Sequence, residues 1–197
     1  MDNTPISNTK TSPKAKWGFV GLICAIVLIG IVLLVALILF NSSICFADVA
    51  GRSMLPTLQH GDKLIVASQK EYEYGDIVAF TLEEAPQNDE LNIKRIIATA
   101  GDRVEIDFVS GQVIVNGETL DEPYVLAPTK EAGDVTYPVV VPEGKLFVMG
   151  DNRNNSYDSR YSGIGFVDEE TVLGKVVFRV LPFGDTDVYE NFNQGEE

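Results

Sequence analysis

The chain has 197 residues, of which 45% are hydrophobic and 22% are charged, and its formal net charge is −14. This length allows one modest domain beside any membrane segment, and so acidic a chain is not expected to bind nucleic acid through phosphate contacts. Its two cysteines, Cys24 and Cys45, are too far apart along a helix to form a disulfide. No zinc-ligand spacing or Gly-rich phosphate loop is present, so the sequence predicts neither a metal site nor a cofactor.

One long apolar segment lies near the N-terminus. No charged residue occurs from Trp17 to Phe40, and about 24 residues at roughly 1.5 Å each are long enough to cross a hydrocarbon core of about 30 Å. The sequence therefore predicts a transmembrane helix at 17–40. A cleavable signal peptide is disfavoured because its apolar core is shorter, about 7 to 15 residues. A lipoprotein signal ending at Cys45 is the other alternative, and the bulky Ile44 argues against it.

The charges around this segment predict its orientation. Lys10, Lys14 and Lys16 precede it, whereas the next basic residue is Arg52, and positive flanks remain in the cytoplasm. We therefore expect residues 1–16 to form a disordered cytoplasmic tail and the chain from residue 41 onward to lie outside the cytoplasmic membrane. The tail carries three lysines against Asp2, so the remainder carries −16. Contact with membrane lipid beyond the anchor is therefore expected to be apolar.

The outer region, residues 41–182, has the pattern of an antiparallel β domain of sandwich or barrel type. Runs rich in β-branched residues are separated by Gly, Asp, Asn and Pro, and Asn116-Gly117 is a strong hairpin signal. We expect an irregular stretch at 120–142 and an acidic C-terminal tail at 183–197, and no amphipathic helix after residue 41. The predicted strands are Asp62–Ser68, Asp76–Leu82, Leu91–Ala100, Arg103–Phe108, Gln112–Asn116, Lys145–Met149 and Val172–Leu181.

The first candidate for chemistry is Ser53, which follows the apolar segment closely in the run GRSMLPT. A hydroxyl there is a candidate nucleophile for a substrate at a membrane surface. The alternative is an ordinary loop serine that is solvated or caps a turn. The only histidine, His60, has the surroundings of a turn residue. A histidine-based serine hydrolase is therefore disfavoured.

The second candidate is Lys94, inside the predicted strand LNIKRIIATA. Strand alternation gives neither face of this segment a clean apolar pattern, so one of its basic residues is expected to point into the interior or a cleft. Burial lowers the pKa of a lysine and makes its neutral amine a usable base. The alternative is a solvated lysine on an edge strand, where lysine opposes strand pairing.

The third candidate segment is the polar run GDNRNNSYDSR at 150–160, directly after a predicted strand. Asp158 and Arg160 are suited to pair with one another or with Arg95, and Ser156 offers a hydroxyl that could hold an amine in place. Most loops of this composition are only loops. This one, however, would be a second polar cluster on a rigid sheet, which is a common way to position a site.

Taken together, these segments resemble the bacterial type I signal peptidases, membrane-anchored Ser/Lys proteases that remove signal peptides from exported proteins. The matching runs occur in the family's order after an N-terminal anchor and cover essentially the whole outer domain. They are SMLPTL at 53–58, GDIVAF at 75–80, KRII at 94–97 with AGD at 100–102, and GDNR at 150–153 through Ser156, Asp158, Ser159 and Arg160.

The resemblance implies an antiparallel β fold of the signal-peptidase/LexA-like type. It implies that Ser53 is the nucleophile, that Lys94 is the general base, and that Ser156 hydrogen-bonds and orients the lysine amine. It implies a supporting ion-pair network of Asp158 and Arg160, with Arg95 as a further member. The implied substrates are the signal peptides of secretory preproteins, and the protein is expected to act as a monomer without a cofactor.

Two expectations concern the substrate. Some members of this family place a serine or threonine hydroxyl two residues before the nucleophile to help stabilise the oxyanion, but Gly51 stands there in this chain. A backbone N–H or an ordered water would have to replace it, and backbone crowding would make Gly51→Ala more harmful than Arg52→Ala. The small residues at positions −1 and −3 of the substrate are expected to meet a set of four neighbouring residues, Val49, Ala50, Asn92 and Ile93.

Two alternatives remain open at this point. One is a LexA-like protein that cleaves itself with a Ser/Lys pair, although a transmembrane segment and the lack of a preceding DNA-binding module weigh against it. The other is a membrane-tethered β domain that binds or scaffolds without catalysis. The joint presence of Ser53, Lys94, Ser156 and Asp158 argues against that reading.

Overall fold

A computed structural model describes residues 13–41, 44–82, 91–182 and Val188. The chain divides into two compact units, residues 1–43 and residues 44–197. Most of the predicted N-terminal tail and of the predicted acidic tail at 183–197 lies outside the described residues. Val188 is the exception in the acidic tail, because it is buried with the apolar core of the second unit.

The described part of the first unit is one helix, α1, from Pro13 to Asn41. It begins earlier than the predicted 17–40, because proline is favoured in the first turn of a helix and the residues Lys14, Ala15 and Lys16 that follow are good helix formers. Its segment Gly21–Ile38 is long and apolar enough to cross a membrane, and none of it is buried. The predicted transmembrane helix is therefore confirmed by length and composition.

The described part of the second unit is mainly antiparallel β, which confirms the predicted fold class. Its larger sheet has the strand order β1-β2-β11-β3-β4-β9-β10, and its smaller sheet has the order β7-β6-β5-β8. Two 3₁₀ turns, Arg153–Asn155 and Glu169–Thr171, are the only helical segments described there. The strands are β1 Ile44–Asp48, β2 Lys63–Ala67, β3 Ile77–Phe80, β4 Asn92–Ala98, β5 Arg103–Asp107, β6 Gln112–Val115, β7 Glu118–Thr119, β8 Val139–Val140, β9 Lys145–Met149, β10 Val167–Asp168 and β11 Val172–Leu181.

All seven predicted strands are present, with ends that differ by at most two residues. The Asn116-Gly117 turn joins β6 to β7, with Val115 opposite Glu118, as the hairpin signal predicted. The stretch at 120–142 is irregular apart from β8. Four short strands, β1, β7, β8 and β10, were not predicted, because each depends on a neighbouring strand more than on its own residues.

The strand β4 is buried on both faces. Its neighbours in the sheet are β3 and β9, and Ile93 and Ile96 belong to two different apolar clusters of the core. Lys94 is 5% exposed and Arg95 is fully buried. The alternative of a solvated lysine on an edge strand is therefore wrong, and both basic residues of this strand point into the protein rather than one.

Candidate active site

Three separate segments converge at one end of β4. Ser53 lies in the turns between β1 and β2, Lys94 lies on β4, and the polar loop begins at Gly150, directly after β9. Because β4 pairs with β9, with Arg95 opposite Met149, the polar loop starts beside the strand that carries Lys94. The N–H of Asn152 donates a hydrogen bond to the Ser53 carbonyl at 2.9 Å. This bond connects the polar loop to the turn that carries Ser53.

Ser53 and Lys94 are in direct contact. The distance between Lys94 Nζ and Ser53 Oγ is 3.0 Å, and Lys94 Nζ also donates to the carbonyl of Ile93 at 3.2 Å. Ser53 is partly exposed, whereas Lys94 is almost completely buried. The arrangement therefore presents a hydroxyl to solvent with an amine behind it, within hydrogen-bond distance.

Burial is the main influence on the charge of Lys94. Loss of water around the ammonium lowers the pKa of Lys94 from its usual value. The nearby carboxylates of Asp158 and Asp151 oppose this shift, and the guanidinium of Arg160 adds to it. The net effect favours the neutral amine, which has a lone pair that can accept a proton.

The environment of Ser156 differs from the expected one. Its hydroxyl oxygen is buried and has no hydrogen-bond partner among the described residues, so the expected hydrogen bond to the Lys94 amine is not formed. The side chain lies against Gly150, where an added Cβ would collide with Ser156 Oγ. The hydroxyl is therefore held close to the start of the polar loop, but the contacts of Lys94 Nζ are with Ser53 Oγ and the carbonyl of Ile93.

Two fully buried ion pairs support the polar loop. The Arg160 side chain donates to both carboxylate oxygens of Asp158 at 2.8 Å, and the backbone N–H groups of Gly150 and Arg160 donate to them at 3.0 and 3.3 Å. Arg95 donates to both oxygens of Asp151, at 2.9 and 2.8 Å. The Asp158–Arg160 contact is one of the pairings that the sequence allowed, whereas Asp151 had not been assigned as the partner of Arg95.

The turn that carries Ser53 is held by contacts with the apolar core and with Asp151. Met54 and Leu58 are buried in the apolar core, and Thr57 Oγ1 donates to Asp151 Oδ2 at 2.5 Å. Asp151 therefore contacts both the turn that carries Ser53 and the strand that carries Lys94. On the exposed side, the Gly51 N–H donates to His60 Nδ1 at 3.3 Å, so the histidine lies in a turn, as its surroundings predicted.

Gly51 has a backbone conformation that favours glycine, with a φ of +87°. No atom lies within 4 Å of the place that an added Cβ would occupy. The crowding expected for Gly51→Ala is therefore wrong, and conformational strain is the remaining cost.

We expect Gly51→Ala to reduce kcat/KM on a precursor several-fold, and Arg52→Ala to change it less than twofold. A left-handed conformation costs a non-glycine residue about 1 kcal/mol, and this strain falls two residues before Ser53. Arg52 is exposed and also lines the cleft beside Ser53, and its truncation adds no backbone strain, so Arg52→Ala is the control for strain in the turn. Equal values of kcat/KM for the two variants would contradict the expectation.

A cleft of about 320 Å³ opens beside Ser53 and Lys94. All four residues predicted for substrate contact line it, namely Val49, Ala50, Asn92 and Ile93. Sequence reasoning missed Leu91, Asn155 and Tyr157, which also line it. Among the described residues, no group of three or more His, Cys, Asp or Glu side chains could hold a metal ion.

Comparisons with known proteins point to one family. A family model described as "Signal peptidase, peptidase S26" matches residues 22–181. The protein "Probable signal peptidase I-1" of Synechocystis is 35% identical over 192 residues, covering 92% of this chain and 89% of that protein. "Signal peptidase I" of Bacillus amyloliquefaciens is 37% identical over 188 residues, covering 89% of this chain and 90% of that protein.

Two further matches cover smaller parts of this chain. "Probable signal peptidase I-2" of Synechocystis is 42% identical over 142 residues, which are 68% of this chain and 62% of that protein. This chain therefore spans less than two thirds of that relative. The crystal structure of a signal peptidase I from Enterococcus faecalis has 32% sequence identity and a TM-score of 0.45, and the match covers 56% of this chain and 100% of that one.

Proposed function

Because this chain belongs to the signal peptidase family, peptidase S26, we propose that it is a serine endopeptidase that removes N-terminal signal peptides from exported preproteins with Ser53 as nucleophile and Lys94 as general base. The observation that carries the proposal is the distance of 3.0 Å between Lys94 Nζ and Ser53 Oγ. It is supported by the burial that lowers the pKa of Lys94, because only an unprotonated amine can act as a base.

In the proposed reaction, Ser53 Oγ attacks the carbonyl carbon of the scissile peptide bond while its proton passes to Lys94 Nζ. The tetrahedral intermediate collapses when the C–N bond breaks, and the Lys94 ammonium gives its proton to the leaving amine. Water then attacks the Ser53 ester, with Lys94 again accepting the proton. The bond between the acyl carbon and Ser53 Oγ then breaks, the Lys94 ammonium returns its proton to Ser53 Oγ, and the acid is released.

Ser156 is proposed to orient the base. A neutral lysine has two N–H donors and one lone pair, and the lone pair must face Ser53 for proton transfer. One N–H is directed at the carbonyl of Ile93, which lies 3.2 Å from Nζ. The buried and unpartnered hydroxyl of Ser156 is the proposed acceptor for the second N–H once the two side chains come within hydrogen-bond distance. The Asp158–Arg160 and Asp151–Arg95 pairs would hold the surrounding segments in place.

The oxyanion is proposed to bind to the backbone. Gly51 has no side-chain donor, and the Ser53 N–H has no acceptor among the described residues. A free N–H beside the nucleophile is one half of a typical oxyanion hole. An ordered water is the simplest candidate for the second donor.

We propose that the membrane anchor determines where the reaction takes place. The chain is membrane-anchored through α1, and we propose that its N-terminus is cytoplasmic and that residues 41–182 act at the outer face of the cytoplasmic membrane. Lys10, Lys14 and Lys16 before the apolar segment support this orientation. The outer part carries −16, which supports apolar rather than ionic contact with lipid and no binding of nucleic acid. We propose that the protein works as a monomer.

The decisive test uses the purified full chain in detergent with a secretory precursor, and the new N-terminus is identified by mass spectrometry. The wild type is expected to cut the precursor once, after its signal peptide, whereas Ser53→Ala and Lys94→Ala yield no product. Ser110→Ala is the matched control, because Ser110 is an exposed serine in the hairpin turn between β5 and β6.

Each alternative predicts a different result. A scaffolding domain would leave the precursor uncut by the wild type, and a LexA-like protein would shorten its own chain and not the precursor. Product from Ser53→Ala or from Lys94→Ala at the wild-type rate would refute the proposed pair of residues. A loss of activity in Ser110→Ala equal to that in Ser53→Ala would show that the effect is not specific to the site.

A further inference from the structure

Tyr157 is an aromatic residue on the wall of the cleft that no step of the proposed reaction uses. The residue is 55% exposed, whereas Ser156 before it is partly buried and Asp158 after it is buried. It comes from the polar loop after β9, whereas the residues expected to meet positions −1 and −3 come from two other segments. Clefts that bind ligands are lined mainly by apolar and aromatic side chains.

Two contacts fix the position of the Tyr157 side chain, one at the face of its ring and one at its hydroxyl. The ring stacks on Tyr161 with the centroids 4.7 Å apart and an angle of 34° between the planes. At the other end, the hydroxyl lies over the backbone of Gly163, where the three atoms nearest to an added Cβ all belong to Tyr157. Glycine at 163 therefore provides the space for the tyrosine hydroxyl. An aromatic ring that is already immobilised loses little conformational entropy when it binds a ligand.

We propose that Tyr157 is a specificity-determining residue, which binds an apolar side chain of the substrate next to the scissile bond. This inference rests on the proposed function, since it takes the ligand to be an extended peptide. Side chains alternate along an extended chain, so when positions −1 and −3 point toward their pockets, positions −2 and +1 point away from them. Tyr157 contacts the side chain at one of these two positions.

The test compares cleavage of peptides that differ only at −2 or only at +1, with leucine or serine at that position. The wild type is expected to show a lower KM for leucine at one of the two positions. Tyr157→Ala raises the KM of that leucine peptide about fivefold to tenfold, the range expected for loss of an aromatic contact, and leaves kcat within twofold. Tyr157→Phe retains the preference, because the ring and its stacking on Tyr161 remain.

Gly163→Ala provides a second, independent test, because the three atoms nearest to its added methyl group all belong to Tyr157. It is expected to displace the ring and to remove the leucine preference as Tyr157→Ala does. In the Tyr157→Phe background the hydroxyl is absent and the nearest ring atom is Cζ, 3.3 Å from the added Cβ. Gly163→Ala in that background is therefore expected to keep the preference, and this double variant remains informative if Gly163→Ala alone fails to fold.

The inference is overturned if the wild type does not distinguish leucine from serine at either position. It is also overturned if Tyr157→Ala leaves the ratio of KM values unchanged, or lowers kcat equally for all peptides, as a purely structural residue would. Loss of the preference when Gly163→Ala is added to Tyr157→Phe would contradict it as well. A wild type that cuts no peptide or precursor would instead refute the proposed function.

Discussion

Lys94→Met is expected to reduce kcat about 10⁴-fold while raising the free energy of unfolding. Loss of the base from a nucleophile–base pair typically costs this much in rate, and methionine provides no proton acceptor to Ser53. Methionine has nearly the shape of the lysine stem, so it fills the same buried space without leaving a cavity. Alanine would leave a cavity, which makes Lys94→Ala suitable for the activity test only.

The expected gain in stability follows from the pKa of Lys94. Because that pKa is lowered in the folded state, the unfolded chain binds more protons in the interval between the lowered value and the usual 10.5. Stability therefore rises with pH across this interval, and the cost of burying the charge is largest below it. Replacing a buried polar or charged group with an apolar one of the same volume typically returns about 1 to 3 kcal/mol.

The precursor-cleavage assay measures kcat, and denaturant unfolding of the full chain in detergent, at neutral pH and near pH 10, measures the change in stability and its dependence on pH. Lys94→Met is expected to exceed the wild type at neutral pH, and the difference is expected to shrink as the pH rises. Lys63→Met is the control, because the Lys63 side chain is 50% exposed and loss of its surface ion pair with Asp48 should change stability by about 1 kcal/mol or less. A Lys94→Met variant less stable than the wild type would contradict the expected gain in stability. A wild-type cleavage rate that falls when Lys94 loses its proton would contradict the role of Lys94 as the base.

Much of the larger sheet follows from local patterns. Segments such as Lys145–Met149 and Val172–Leu181 are bounded by turn residues and rich in β-branched or large apolar residues, so they were predicted with accurate ends. The strand β1 was missed because its five residues directly follow the membrane helix and show no clear alternation. Pairing of Phe46 with Ile65 of β2, a contact between distant segments, defines it as a strand.

The site could be predicted in part for a similar reason. On β4, apolar and polar residues do not alternate clearly between the two faces. This pattern indicated that a basic residue lies inside the protein, and Lys94 is such a residue. The pairing of Arg95 with Asp151 could not be predicted, because it depends on the register that places Arg95 opposite Met149. The role of Gly163 was also out of reach, since only the folded chain brings it under Tyr157.

The Asp151 carboxylate is expected to contribute strongly to stability, because it belongs to a fully buried ion pair. Asp151 is fully buried and accepts hydrogen bonds from Arg95 and from Thr57. Arg95 is itself buried, with its guanidinium 4.0 Å from the ring centroid of Tyr124 and a hydrogen bond to the Gly75 carbonyl. The carboxylate thus compensates a charge that cannot reach water.

We expect Asp151→Asn to lower the free energy of unfolding by about 3 to 5 kcal/mol, because it leaves the Arg95 charge buried without its counterion. Asparagine has the same shape as aspartate, so the effect reports charge rather than packing. Asp48→Asn is the matched control: Asp48 pairs with Lys63 at the surface, with 70% of its side chain exposed, and exposed pairs contribute about 1 kcal/mol or less. Thermal and denaturant unfolding of the two variants in detergent measure the difference. Since Thr57 belongs to the turn that carries Ser53, kcat/KM is expected to fall in Asp151→Asn and not in Asp48→Asn. Equal stability of the two variants would contradict the prediction, because it would show that the buried Arg95 charge does not depend on Asp151.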